Sequence, residues 1–132
     1  MTDYERIAKD FCKKHGAKVA FRWIANEENP LWNDSQRRPH YKATIKTERG
    51  QMTVDFWDSV YNMTHGETPT EYDIFTCLEK YEVYDFCEWC GEYGYDTDSR
   101  RAYRLWCLCR RQWVSVQRVF TDEQIAELRE IN

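Results

Sequence analysis

Apolar positions along this chain repeat with two different periods, and the change of period marks out its elements. The longest helical pattern runs from Thr97 to Phe120. At 100° per residue, Ala102, Leu105, Trp106, Cys109, Trp113, Val116 and Phe120 fall within about 100° of one another, the width of a core-facing stripe. Arg100, Arg104, Arg111 and Arg118 fall together on the opposite side. The spacing predicts a helix over 97–120, capped by Asp96 or Thr97. It carries an apolar seam that buries Trp106 and Trp113, and an arginine row about 27 Å long at 1.5 Å per residue.

Thr2-Asp3-Tyr4-Glu5 reads as a capping box, followed by Tyr4, Ile7, Ala8, Phe11 and Cys12 at helical spacing. Lys13 and Lys14 suit a helix C-terminus, and Gly16 supplies the stop. The period then becomes two. Val19, Phe21 and Trp23 alternate with Lys18, Ala20 and Arg22; Tyr41, Ala43, Ile45 and Thr47 alternate with Lys42, Thr44 and Lys46; Met52, Val54 and Phe56 alternate with Thr53 and Asp55. Glu48-Arg49-Gly50 predicts a hairpin turn with glycine at positive φ. The segment from Asn26 to Pro39 predicts a loop pinned by Leu31 and Trp32, and Asp58 to Glu67 a connector. Lys42, Lys46 and Trp57 are expected on a wet sheet face.

Helical spacing returns after Thr68-Pro69-Thr70-Glu71, read as a second capping box with Ile74, Cys77, Leu78 and Tyr81 inward. Asp85 starts a short helix with Phe86, Trp89, Cys90 and Tyr93 inward, ending near Gly94. Thr121-Asp122-Glu123-Gln124 caps the last helix, with Ile125, Leu128 and Ile131 inward. The predicted fold is α+β: an N-terminal helix, a three-stranded antiparallel meander, then three or four helices packed on one sheet face. It reads as a single domain over 1–132, with helix plus meander in 1–66 and the helical part in 67–132.

Composition adds a heavy aromatic load: 6 Trp, 9 Tyr and 6 Phe in 132 residues. Aromatic side chains bury much area each, so no metal or disulfide is needed to hold a core. No apolar run reaches membrane-spanning length, and the charged, broken start predicts no secretory leader. Six cysteines without a leader read as reduced thiols in a cytoplasm.

The net charge of −4 conceals segregation. Residues 67–98 carry ten acids against Lys80, and residues 99–120 carry six arginines and no acid. Mutual neutralisation of these blocks is the plain expectation. The sharper one is that the acids, among them Glu79, Glu82, Glu88 and Glu92, or the arginines, engage a partner.

Asp85-Phe86-Cys87, the run Glu92-Tyr93-Gly94-Tyr95-Asp96-Thr97-Asp98-Ser99-Arg100, Phe120-Thr121-Asp122-Glu123 and the hairpin stretch Met52-Thr53-Val54-Asp55-Phe56-Trp57 resemble a group of small proteins of phages and mobile elements in gut bacteria. That resemblance implies a small accessory protein that inhibits or adapts host proteins, in the manner of anti-CRISPR proteins. It assigns no residue a role. Helix, three strands, helix is also the order of a double-stranded-RNA-binding domain, which grips phosphate at a basic second-helix start. Here that start reads Thr68-Pro69-Thr70-Glu71-Tyr72-Asp73, so the order matches and the chemistry does not.

Cys87-x-x-Cys90-Gly91 followed by Cys107-x-Cys109 is the most specific motif. Two such pairs can enclose zinc, but residues two apart on a helix diverge by about 200°. Cys107 and Cys109 therefore do not both reach one ion; a zinc site would use Cys87, Cys90, one of them and a histidine. No cofactor is favoured. A thioredoxin-like enzyme role is disfavoured as well, because Cys87 does not follow a strand of a βαβ unit. His15, His40 and His65 form no catalytic spacing, and no phosphate-binding glycine loop exists, so an enzyme is not expected. The leading expectation is a non-enzymatic inhibitor or adaptor acting on a host protein such as a CRISPR effector or other nuclease. The alternative is nucleic-acid binding through the arginine row.

Overall fold

The computed structural model describes residues 2–24, 40–56, 69–78, 81–82 and 85–131. Leu31, Trp32, Trp57, His65, Glu79, Lys80 and the connector 58–67 lie outside them. The elements are α1 (Asp3–His15), β1 (Lys18–Ile24), β2 (His40–Thr47), β3 (Gly50–Phe56), α2 (Glu71–Leu78), α3 (Phe86–Tyr93), α4 (Arg100–Val119) and α5 (Asp122–Ile131). The fold is mixed α+β, with the sheet antiparallel in the order β1-β2-β3.

Local chemistry accounts for most of the boundaries. The Thr2 hydroxyl accepts from the Glu5 amide while the Glu5 carboxylate accepts from the Thr2 amide, so two orphan donors of α1 are satisfied. Gly16 ends α1 in the left-handed region at φ 67°. The α2 box lies two residues later than expected. The Thr70 amide donates to Asp73 at 2.8 Å and the Asp73 amide to the Thr70 hydroxyl at 3.4 Å, so Thr70 caps the helix and buried Pro69 stands outside it. Asp85 caps α3 through the Glu88 amide. The cap of α4 is Ser99, whose hydroxyl accepts from the Ala102 amide. Asp96 instead closes a turn onto the Asp98 amide, and Thr97 and Asp98 form a turn ahead of the helix. α4 therefore spans 100–119 rather than 97–120. Thr121 and Gln124 bond reciprocally at the start of α5.

The sheet places Val19 opposite Ile45, Phe21 opposite Ala43, and Ala43 and Ile45 opposite Val54 and Met52. This face meets α1, α2, α5 and the C-terminal half of α4. Phe11, Phe75 and Phe120 meet at its centre with ring centroids 5.4, 5.8 and 6.4 Å apart. On α1, Tyr4 and Ile7 are exposed rather than inward, and Tyr4 stacks on Tyr72 of α2.

The seam of α4 divides between two cores. Val116, Val119 and Phe120 join the main core, while Ala102, Leu105 and Trp106 pack with Trp89 and Cys90 of α3 in a second cluster. Trp113 is half-buried at the margin of the main core, not enclosed as the stripe predicts, and Cys109 is likewise half-buried. Tyr93, expected inward, is exposed.

α4 also lies along the outer edge of β3. Gln112 donates to the Thr53 carbonyl at 2.9 Å and Arg118 approaches the Gln51 carbonyl at 3.5 Å. From the hairpin tip, Thr47 donates to the Val119 carbonyl at 2.8 Å and Arg49 to the Arg118 carbonyl at 3.1 Å. These carbonyls belong to the last turn of α4, where no helical donor follows. The edge strand and the helix end thus satisfy each other.

Candidate interaction surface

α3 and α4 form a helical hairpin joined by Gly94 to Ser99. Gly94 makes the left-handed exit at φ 75°. Where the two helices begin, a cleft of about 640 Å³ is lined by Phe86, Thr97, Asp98, Ser99, Arg100, Tyr103 and Arg104. Phe86 meets Tyr103 edge-on at 5.4 Å and Trp106 at 5.5 Å, so the cleft floor is aromatic and fixed to the second core. Trp89 stacks on Tyr95 at 4.9 Å with rings nearly parallel, which holds the connecting turn against α3. Arg110 lies over the Trp106 ring at 4.8 Å. Below it, the Trp106 indole nitrogen is buried and has no hydrogen-bond partner among the described residues.

The four arginines of the row are all exposed, but they do not act alike. Arg100 and Arg104 border the cleft, Arg111 stands on the open helix surface, and Arg118 is drawn to β3. Among the described residues none of these four forms an ion pair with a carboxylate.

The acids separate too. Glu82 is bonded to Arg129 of α5 through both carboxylate oxygens, which removes it from the cleft side. Glu88 and Glu92 are exposed one turn apart on α3, and Glu79 lies outside the described residues. The structure thus gathers Arg100 and Arg104, with Glu88 and Glu92 on the adjoining helix. Among the described acids, Glu82 turns to α5 while Glu88 and Glu92 stay exposed on α3. Tyr103 was not singled out in the sequence. The available signal was its place about 60° from Arg100 on the helical wheel, off the seam and beside the arginines.

None of the six cysteines is joined in a disulfide. Cys87 is exposed and Cys90 is 1% exposed. Cys107 and Cys109 are half-buried at the edge of the second core. Among the described residues no three His, Cys, Asp or Glu side chains gather as a metal would need. Burial pushes the Cys12 thiol up to about 12, with Glu71 adding to it. Burial also raises the Tyr81 phenol, reinforced by Cys77, Cys109 and Asp55 and opposed by a hydrogen bond from Gln112. Neither group is poised to ionise near neutral pH.

No helix among the described residues is long and apolar enough to cross a membrane. Comparison with protein-family models, curated proteins and solved structures gives no match for this chain.

Proposed function

We propose that this is a non-enzymatic protein-binding inhibitor or adaptor whose contact surface is the α3–α4 hairpin. The observation that carries the reading is the cleft itself. It offers two arginines that form no ion pair among the described residues, beside exposed Tyr103 and half-buried Phe86. Tyrosine and arginine dominate the energetic centres of protein interfaces, because each adds large contact area with a polar end. The charge around the cleft favours a protein over a nucleic acid. Residues 85–104 carry five acids and three arginines, so a phosphate backbone meets net repulsion there. The resemblance to phage and mobile-element proteins makes a host nuclease, such as a CRISPR effector, the partner class to test first.

The test is competition between this protein and DNA for such a nuclease. Tyr103→Ala and Arg104→Glu are each expected to weaken inhibition about tenfold or more, as interface centres do. Lys46→Glu, on the far sheet face, should leave it intact. Equal effects from all three variants would sink the reading.

A second reading, nucleic-acid binding, rests on the exposed sheet face rather than on the arginine row. In register, Lys18 stands opposite Lys46, and Arg22 opposite Lys42. Like charges directly opposite are destabilising, so these pairs gain from an anion laid across them. Among the described residues, Asp55 lies 3.6 Å from Lys42 and offsets that cation. Steeply salt-dependent DNA binding, lost in Lys18→Glu with Lys46→Glu, is the signature of this alternative.

A further inference from the structure

Cys87 and Cys90 occupy the second and fifth positions of α3, and they differ sharply in access. Cys87 is exposed, while Cys90 is enclosed with Trp89, Ala102, Leu105 and Trp106. Helix geometry sets their Cα atoms about 5 Å apart, inside the usual disulfide range of about 4.4–6.8 Å. We propose that Cys87 and Cys90 form a thiol–disulfide exchange site for low-molecular-weight disulfides, with Cys87 attacking and Cys90 resolving.

Access assigns the roles. A small disulfide reaches Cys87 Sγ from solvent and is shut out from Cys90. Once Cys87 carries the mixed disulfide, the neighbouring Cys90 is the thiol placed to resolve it when it gives up its proton. The two side chains must draw together by about 1–2 Å for the bond to close, since Cβ atoms three apart on a helix sit about 5–6 Å apart. The bond closes in the first turn of α3, which the Asp85 cap holds in place of a full set of intrahelical bonds. Here the Asp85 carboxylate takes the Glu88 amide and the Asp85 carbonyl the Trp89 amide. Burial raises the Cys90 thiol, with the adjoining Cys87 and Asp96 adding to it, so Cys90 keeps its proton until resolution.

The chemistry balances with the small disulfide as oxidant. Cys87 Sγ bonds to one sulfur of RSSR, the S–S bond breaks, and RS− leaves and takes up the Cys87 proton as RSH. Cys90 Sγ then bonds to Cys87 Sγ, expelling the second RS−, which takes up the Cys90 proton. Two protein thiols are oxidised and one disulfide is reduced to two thiols. Cys107 and Cys109 diverge around α4, and burial with Glu71 holds Cys12 up at about 12.

Glutathione disulfide is the probe, read by intact mass and by peptide mapping of the full chain. The wild type should lose two hydrogens, with a Cys87–Cys90 crosslink and no retained glutathione. Cys87→Ser, at an exposed position, should slow that loss about tenfold or more. Cys90→Ala should instead stall with one glutathione on Cys87. A wild type that retains glutathione on Cys87, or a Cys87→Ser variant that oxidises at the wild-type rate, overturns the proposal.

Discussion

The two halves of α4 have the same amphipathic pattern and different surroundings. The C-terminal half buries Val116 and Val119 to 1% and 0% exposure, and hydrogen bonds tie it to the hairpin and to the edge of β3. The N-terminal half buries Ala102, Leu105 and Trp106 against one helix of eight residues. Periodicity is therefore an equal promise along α4 and an unequal fulfilment. A stripe states which side of a helix is apolar, whereas stability follows from how much surface is there to cover it.

The largest expected effect falls on the C-terminal side. Phe120→Ala removes a fully buried ring from the contact with Phe11 and Phe75 and should cost about 3–5 kcal/mol, lowering the thermal midpoint of the whole molecule. If denaturant unfolding showed a loss below about 1 kcal/mol, that ring would not be the centre of the main core. Trp106→Ala tests the other half. Its damage should be confined: hydrogen exchange of α3 and the first turns of α4 accelerates, while β2 and β3 keep their protection. Equal acceleration in the sheet would show the two cores to be one cooperative unit.

Much of this contrast was out of reach of the sequence. Strand alternation named the inward sheet residues, and the capping boxes at Thr2 and Thr121 marked helix starts, because both signals act within a few residues. The seam of α4 was visible, but its division was not: nothing local distinguishes Trp106, which meets α3, from Trp113, which sits half-exposed at the core margin. The caps at Ser99 and Thr70 were misplaced because several Ser, Thr and Asp residues compete within one turn, and only backbone geometry selects among them. The candidate cleft was half legible. Arg100 and Arg104 stood out as charge, whereas Phe86 and Tyr103 meet only when α3 folds back on α4.

Smaller effects sharpen the contrast. Thr47→Val deletes the hydroxyl that donates to the Val119 carbonyl and should cost about 1 kcal/mol, measured by denaturant unfolding. No measurable loss would mean that water replaces the bond at no cost. The smallest effect is a pH dependence at the α1–α5 junction. Hydrogen bonds from His15 at 2.7 Å and Lys14 at 3.2 Å hold the Glu127 carboxyl below its ordinary value of 4.5, against the opposing effect of burial. With the folded value below the unfolded one, this stabilisation is complete above about pH 4.5 and is lost as pH falls through the folded value. The thermal midpoint of Glu127→Gln should thus trail the wild type at neutral pH and converge with it in acid. A gap that persists unchanged at acid pH would assign the effect to packing.

The helix laid along β3 also governs how this sheet meets another copy of itself. A sheet with two bare edges is a template for indefinite growth, since each added copy exposes a fresh edge. Here α4 occupies one edge through Gln112 and Arg118, and β1 is the other edge strand. Strand addition at β1 alone can join two molecules about a twofold axis, after which neither edge remains for a third. Lys18 and Arg22 stand on that strand, so even this pairing brings cation toward cation. The sheet is terminated against polymerisation on one side by structure and on the other by charge.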